Sequence, residues 1–408
     1  MSNLIIIDLY IILPFKIRNN YFIMVNFLHQ TEHPQLNYEL FFEIMRDYRK
    51  GGLTPENYGE FIDLVKKLPT VAKRKPSDYK VFDKLNLKDI LENDFEVIMR
   101  EIFNRAVEKS KKCWHPNANS TTCNVDSNGN VVVSAAHSIQ NNGVLSKITK
   151  DGHVMTYSKD KSSFEGKKVG KSLASIFWGF CNTHDSMFRP IENFPYSQTD
   201  EQNFLYAYRG FVVASHKKVE VASFIDFGEQ SHNDIVRNKS IFDKAIIEND
   251  YTVIETEVIE LPIFYPIAVS SNFYLDFDFD GKPILHSDFR MENVFITMFP
   301  DNNKTFFLLS YFKEDKHLYG HLGEQLKKRN NLKSDITVLL AAHIENIYFE
   351  PVYFETFIEK QSDELERVFV EAQFDYNLLD EDNKINSGFS LTPNDYLHNK
   401  YNVNFFGY

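Results

Sequence analysis

The chain has 408 residues, of which 43% are hydrophobic and 15% aromatic, and its formal net charge is −12. This hydrophobic content is ample for a buried core and excludes an intrinsically disordered protein. The acidic balance argues against a protein that coats nucleic acid over its whole surface. The three cysteines lack the spacing of a disulfide framework, which indicates a reducing compartment, so we expect a cytoplasmic protein.

The N-terminal residues 4–15 are apolar, but they are too short to cross a bilayer and are interrupted by Asp8 and Pro14. No basic segment precedes them and no small-residue cleavage site follows, so the pattern does not predict a signal peptide. We expect no membrane association and interpret residues 1–23 as a possible N-terminal extension.

The next segment, residues 24–112, is predicted to be helical. Apolar residues recur at helical spacing over 35–49, 54–67 and 88–112. The last of these helices ends in a lysine-rich turn, which suits the negative end of a helix dipole. It leads the chain directly to the first cysteine.

Residues 113–195 differ in composition, being rich in Asn, Ser, Gly and Lys. A turn at 126–130 precedes a short apolar strand at 131–136. Residues 143–171 are predicted to be a long mobile segment, and residues 181–192 to be helical.

The rest of the chain begins with a second helical region, residues 196–250, and continues into a mixed, β-rich domain over 251–378. The run 294–312 predicts a β-hairpin, because two apolar stretches flank an Asp-Asn-Asn turn. Residues 352–373 predict a helix, and residues 379–408 a polar tail.

Charge is unevenly distributed along the chain. Residues 100–189 carry 13 Lys or Arg and 7 Asp or Glu, a net charge of +6. Such a local patch suits contact with a phosphate backbone, whereas the alternative is a solvated lysine-rich loop. The candidate phosphate contacts are Lys167, Lys168, Lys171 and Arg189.

All three cysteines fall in this basic stretch together with a suitably placed histidine. Zinc prefers four Cys or His ligands in a tetrahedron, and the candidate ligands are Cys113, Cys123, Cys181 and His184. The spacing Cys181-x-x-His184 is typical of a zinc knuckle that enters a helix, whereas the first pair is wider. His115 is a competing ligand, and three free buried cysteines are the alternative interpretation.

The same stretch resembles the HNH or His-Me finger endonucleases. Ala136-His137-Ser138-Ile139-Gln140 is similar to the family's strand that ends in a catalytic histidine, and 179–185, GFCNTHD, to its zinc knuckle. Gln140 stands where the family has proline, and Ser175 is nearest to the position of its asparagine. The resemblance covers about 80 residues of the chain.

The resemblance implies that His137 is a general base and that Asp185 binds a catalytic metal. A histidine titrates near neutral pH, and a carboxylate suits Mg²⁺ or Mn²⁺. Glu192 lies seven residues after Asp185, so one helix face would present both carboxylates to the same ion. The resemblance further implies DNA or RNA as substrate and a role in defence against foreign nucleic acid.

The sequence thus predicts an α+β protein with a helical N-terminal region, a zinc-stapled ββα module and a mixed β-rich C-terminal domain. That domain would contact the target or a protein partner. The rival interpretation is a non-catalytic protein in which zinc only supports a binding surface. Two other motifs are set aside: 166–172 lacks the P-loop spacing, and the kinase-like string 286–295 lacks the remaining kinase elements.

Overall fold

The structure is a computed structural model, and it describes residues 110–158, 165–222, 228–275, 277–287, 289–344, 346–372 and 401–407. The helices predicted over 35–49 and 54–67, nearly all of that over 88–112, the extension 1–23 and most of the polar tail lie outside the described residues.

Contacts divide the chain into two compact units. One comprises Ser110–Val219 and Phe227–Tyr408, and the other comprises Met1–Lys109 with Glu220–Asp226. The helices and strands described below belong to the unit that begins at Ser110, apart from the last residues of one helix. Helices and sheets are both present, which confirms the α+β class.

Within the described ranges, the strands fall into two antiparallel sheets. In chain order they are β1 (Ser134–His137), β2 (His153–Ser158), β3 (Glu165–Gly170), β4 (Ile176–Phe180), β5 (Ile254–Leu261), β6 (Ile267–Phe273), β7 (Val294–Asp301), β8 (Lys304–Phe312) and β9 (Ile347–Phe349). The small sheet pairs β1 with β4, and the large one has the order β3-β2-β9-β6-β7-β8-β5.

Helices pack with both sheets in the two hydrophobic clusters. They are α1 (Asn182–Asp185), α2 (Arg189–Glu192), α3 (Asp200–Ala222), α4 (Gly228–Glu248), α5 (Lys316–Tyr319), α6 (Leu322–Lys328), α7 (Leu332–His343), α8 (Pro351–Tyr353) and α9 (Ser362–Ala372). Shorter helical turns occur at Asn141–Leu145, Ser186–Phe188, Tyr251–Val253, Lys313–Asp315, Phe354–Ile358 and Glu359–Gln361. None of these helices is long and apolar enough to cross a membrane.

The hairpin β7–β8 lies inside the large sheet and is buried on both faces. Side chains of β7 alternate between the two hydrophobic clusters: Val294 and Ile296 pack in one, and Phe295 packs in the other. This double burial explains the continuous apolar run that predicted the hairpin. Asn302 closes the turn at a positive φ of 52°, a conformation that asparagine tolerates well.

The two hydrophobic clusters place the candidate site. The larger cluster lies under α7 and α9, whereas the second contains α3, α4, the small sheet and the three cysteines. The predicted helices at 196–250 and 352–373 are confirmed as α3, α4 and the helical stretch that ends with α9. The small sheet therefore shares its hydrophobic cluster with α3 and α4.

One prediction for the central region is wrong. Residues 143–171 were expected to be a long mobile segment, but the structure forms β2 and β3 there and pairs them in register from His153↔Gly170 to Ser158↔Glu165. Through its pairing with β9, β2 joins this hairpin to the large sheet. The division of the chain into domains with boundaries at residues 113, 195, 250 and 378 stays a prediction.

Candidate metal centre and active site

Three cysteines and one histidine converge in the second hydrophobic cluster. Cys113, Cys123, Cys181 and His184 are buried, and their ligand atoms all lie within 4.8 Å of one another. Nδ1 of His184 lies 3.4 Å from the Sγ atoms of Cys113 and Cys123 and 3.3 Å from that of Cys181. Bond lengths of about 2.3 Å to sulfur and 2.0 Å to nitrogen put these atoms about 3.6 Å apart in a tetrahedral site. The group therefore could hold a metal ion such as zinc.

Local hydrogen bonds bring the two halves of this cluster together. The Trp114 N–H donates to the Gly179 carbonyl at 2.8 Å, which joins the first cysteine's segment to β4. Asn124 Oδ1 accepts from both the N–H and the hydroxyl of Thr183, each at 2.9 Å, which joins the second cysteine's loop to α1. The four ligands are therefore held in place by neighbours in the chain and not only by a metal.

Without a cation, burial keeps two of the thiols, those of Cys113 and Cys123, protonated. Burial raises the pKa of the Cys113 thiol to about 12 and also raises that of Cys123. Burial acts in the same direction on Cys181, but backbone N–H groups of His184 and Asn124 outweigh it and lower the pKa of that thiol. A divalent cation would supply the missing positive charge, and it would displace thiol protons on binding.

His115, the competing ligand, lies beside the cluster and does not belong to it. Its ring stacks on that of His184, with centroids 4.0 Å apart and planes 10° apart. Its Nδ1 accepts the Asn117 N–H at 3.2 Å. Burial lowers the pKa of His115 to about 4, so this ring is neutral at pH 7 and supports its neighbour by stacking.

The predicted base, His137, ends β1 directly opposite Ile176 of β4. Its Nδ1 lies 2.9 Å from the Ala174 carbonyl oxygen, an acceptor, so in the neutral ring Nδ1 carries the proton. Nε2 is then the basic nitrogen. Burial lowers the pKa of His137 below its ordinary value of 6.5, which favours that neutral form at pH 7.

The next residue of interest, Ser175, precedes β4 in the left-handed backbone conformation, with φ at 57°. Its side chain is buried and its Oγ lies 3.5 Å from Nδ1 of His137. Its backbone N–H donates to the Tyr348 hydroxyl at 2.8 Å. Ser175 therefore links the strand of the candidate base to β9 of the large sheet.

The two candidate carboxylates lie on the helical turns after β4. Asp185 ends α1 and is partly buried, which raises its pKa, while the charge of Arg209 acts in the opposite direction. Glu192 ends α2, and its Oε1 accepts from Arg209 Nη2 at 2.5 Å. The charges of Arg209 and Glu192 also act on His137. The structure thus brings His137, Asp185 and Glu192 into one electrostatic neighbourhood.

Arg209 is the residue of this neighbourhood that sequence reasoning missed. It projects from α3, its side chain is only 3% exposed, and its guanidinium lies 4.1 Å from the Phe188 ring centroid. Its Nε is buried without a hydrogen-bond partner among the described residues. One signal could have identified it: Arg209 is the single charge in the apolar run 204–215. A buried guanidinium needs such a carboxylate partner.

The carboxylates do not form a second preassembled metal group. Among the described residues, the Cys3His cluster is the single set of three or more Cys, His, Asp or Glu side chains close enough to hold one ion. One oxygen of Glu192 is held by Arg209. In this structure the Oε1 atom of Glu192 is therefore engaged by an ion pair and not by a metal group.

Replacing Arg209 by alanine is expected to lower the free energy of unfolding by about 3 kcal/mol, because it leaves Glu192 unpaired and exposes the Phe188 ring. Urea denaturation measures this loss. Arg367→Ala is the matched control: its pair with Glu364 has side chains 54% and 41% exposed, so it should cost about 1 kcal/mol or less. Equal losses of unfolding free energy in the two variants would show that the Arg209 pair stabilises the protein no more than an exposed pair does.

The candidate phosphate contacts lie in three places. Lys167 and Lys168 belong to β3, an edge strand of the large sheet. Lys171 follows β3; its Nζ donates to Ser146 Oγ at 2.9 Å, and its charge acts on His137. Arg189 begins α2 and is exposed. Lys171 is thus the member of this set that the structure relates electrostatically to the candidate base.

The kinase-like string forms a polar network within the β-rich part. Nδ1 of His286 lies 3.0 Å from Glu292 Oε2, and its Nε2 lies 2.8 Å from the Leu275 carbonyl oxygen. The Ser287 hydroxyl donates to Glu292 Oε1 at 2.5 Å. These contacts hold the side chains of His286 and Glu292 in place, which is a structural role.

Comparisons with known proteins do not assign the chain to a family. No protein-family model, no curated protein and no solved structure matches the chain significantly. The functional argument consequently rests on the residues and geometry described above.

Proposed function

We propose that the chain is a metal-dependent nuclease of HNH-like type that hydrolyses phosphodiester bonds of DNA or RNA. The observation that carries the proposal is the geometry of His137. Its Nδ1 faces the Ala174 carbonyl oxygen, which leaves Nε2 as the basic nitrogen. The strand opposite runs directly into Cys181 and His184 of the metal cluster.

In this proposal His137 takes a proton from water at Nε2. Burial keeps the ring neutral, and the Ala174 carbonyl fixes both its tautomer and its orientation. Asp185 would hold a Mg²⁺ or Mn²⁺ ion, which when bound supplies charge neutralisation at the scissile phosphate. Arg209 pairs with Glu192 beside them. Zinc at the Cys3His cluster would be structural, since all four of its positions are filled by side chains.

The proposal is tested by cleavage of labelled single- and double-stranded DNA and RNA with Mg²⁺ or Mn²⁺. We expect Asp185→Asn to weaken metal-dependent cleavage by about 10²-fold or more, because it removes the charge that would hold the ion. Asp151→Asn is the matched control: Asp151 is an exposed turn residue with φ at 52°, which asparagine tolerates.

Two outcomes would contradict this prediction. Equal activity of Asp185→Asn and wild type would remove Asp185 from the reaction. Absence of cleavage by the wild type with every substrate and ion, in protein that contains zinc, would contradict the nuclease proposal itself.

The second candidate is a non-catalytic protein in which the metal cluster supports a surface that binds nucleic acid or protein. The observation in its favour is that Glu192 is held by Arg209, with no second metal group among the described residues. Substrate binding without cleavage, unchanged by His137→Ala, would favour this candidate.

A further inference from the structure

One peptide group, which joins Ala174 to Ser175, connects the candidate base to the large sheet; we call it the 174–175 peptide. Its carbonyl oxygen lies 2.9 Å from His137 Nδ1. Its N–H donates to the Tyr348 hydroxyl at 2.8 Å. A trans peptide group is planar, so its C=O and N–H point in opposite directions. The two contacts therefore lie at opposite ends of one rigid group, and the orientation that satisfies one is fixed together with the other.

The observed orientation of the 174–175 peptide is costly for the backbone. Ser175 has φ at 57°, in the left-handed region that an L-residue with a side chain adopts at a cost. Rotation of the peptide by about 180° would bring this φ to about −120°, an ordinary extended value. The same rotation would turn the Ala174 carbonyl away from His137 and the Ser175 N–H toward it. The observed orientation consequently depends on the contacts that hold the peptide.

The large sheet supplies a contact that opposes this rotation. Ser175 and Tyr348 are both buried, so the Ser175 N–H would lose its acceptor at a cost in free energy. Tyr348 is itself held in β9, in register with Ala268 of β6. Asn346, just before β9, donates from Nδ2 to Ser138 Oγ at 2.8 Å. The Ser138 N–H in turn donates to the Ser175 carbonyl at 2.9 Å. The β9 segment thus braces Ser175 on both sides.

We propose that Tyr348 is a positioning residue for His137. Its hydroxyl holds the 174–175 peptide in the orientation that presents the carbonyl oxygen to Nδ1. This contact keeps the proton of the neutral ring on Nδ1 and leaves Nε2 as the basic nitrogen. In the rotated peptide the N–H would face Nδ1 and favour the opposite tautomer, whose protonated Nε2 cannot accept a proton from water. The catalytic consequence rests on the proposed nuclease function, whereas the effect on the tautomer does not.

The test is ¹⁵N NMR of the full chain labelled at histidine, at pH 8, where the His137 ring is neutral. The two nitrogens of a neutral imidazole differ in chemical shift according to which one carries the proton, and the His137 signals are those that disappear in His137→Ala. We expect the wild type to carry the proton on Nδ1. Tyr348→Phe should shift the ratio of the two tautomers about tenfold toward protonation at Nε2, the change that loss of one hydrogen bond gives.

The same variant should lose about tenfold in kcat for nucleic-acid cleavage with KM unchanged, because the substitution alters the base and leaves substrate contacts in place. Tyr319→Phe is the matched control. Tyr319 is also buried, and its hydroxyl also forms a hydrogen bond with the backbone, donating to the Glu292 carbonyl at 2.9 Å. Each substitution removes one oxygen atom and keeps a buried ring, so both variants should fold, and Tyr319→Phe should leave the His137 tautomer and kcat unchanged.

Three results would overturn the positioning role. The wild-type spectrum alone does so if His137 carries its proton on Nε2, whatever the folding of the variants. An unchanged tautomer ratio in folded Tyr348→Phe, or an equal shift in Tyr319→Phe, does so as well. A shifted tautomer in Tyr348→Phe, together with a wild type that cleaves no nucleic acid, would support the positioning role and contradict the nuclease function alone.

Discussion

Replacing Cys181 by serine is expected to abolish zinc binding and to unfold the part of the chain that contains the small sheet. Wild-type protein should contain one zinc ion per chain, because one Cys3His group of suitable dimensions is present among the described residues. A structural zinc contributes on the order of 10 kcal/mol to small modules. Metal analysis by mass spectrometry and urea denaturation measure the two effects.

Zinc binding should depend on pH, because burial favours the protonated thiols of the metal-free cluster. Cys113 has its pKa raised to about 12 by burial, so metal binding near pH 7 must release thiol protons. The thiol proton competes with the ion, and apparent zinc affinity should therefore fall as pH falls. Titration with a fluorescent chelator between pH 8 and pH 6 measures this slope.

His115→Ala is the discriminating control for this prediction. His115 stacks on the ligand His184 without joining the cluster, so its loss should leave one zinc per chain. Loss of zinc in this variant and its retention in Cys181→Ser would mean that the ligand set is wrongly assigned. Full stability of wild-type protein after complete zinc removal would mean that the ion has no structural role.

The metal group was predictable because its chemistry is rare in the sequence. Cysteine occurs three times in 408 residues, all within residues 113–181, and the last of them, Cys181, is followed by His184 at knuckle spacing. The same argument separates the ligand His184 from His115 only weakly, since both lie close to a cysteine in the sequence. Their separation required the three-dimensional position of Nδ1 of His184, which faces three sulfurs.

The strands β2 and β3 were not predictable by pattern. The sequence of β3, EGKKVG, has one large apolar residue and reads as a loop. Among the described strands, β3 lies at the edge of the large sheet with β2 as its neighbour. Lysines on an edge strand disfavour aggregation in general. Such a strand is stable because of tertiary contacts with β2, and local propensity contributes little.

Arg209 shows a different limit of sequence reasoning. A lone charge in an apolar helix indicates a buried ion pair, yet the sequence does not identify its partner. Glu192 lies 17 residues earlier, at the end of α2 and before the loop 193–199, so their contact depends on how α2 packs on α3. The charges of both residues of this ion pair act on His137 and on Asp185.

The second large effect is expected for His137→Ala, which should reduce phosphodiester cleavage by about 10²- to 10⁴-fold, the usual contribution of a general base. Zinc content should stay at one per chain. The free energy of unfolding should fall by about 1 kcal/mol, since the substitution removes one hydrogen bond to the Ala174 carbonyl. Multiple-turnover cleavage, metal analysis and urea denaturation of the same preparation separate these quantities.

The matched control is His153→Ala. His153 also lies on a strand, and its Nδ1 also faces a backbone carbonyl oxygen, that of Asp151 at 2.7 Å, but it begins β2 and lies outside the His137 neighbourhood. The cleavage rate of the His153→Ala variant should match that of the wild type. A comparable loss of rate in both variants would indicate a general structural effect and would remove His137 from its proposed role.

The pH dependence provides an independent check of the same base. Because burial lowers the pKa of His137, the ring stays neutral to a pH below its ordinary value of 6.5. A general base acts in its neutral form, so the cleavage rate should be constant above the lowered pKa and fall as pH decreases through it. In His137→Ala the residual rate should lose this acidic limb. An acidic limb that persists unchanged in the variant would assign the titrating group to another residue, for which the half-buried Asp185 is the first to test.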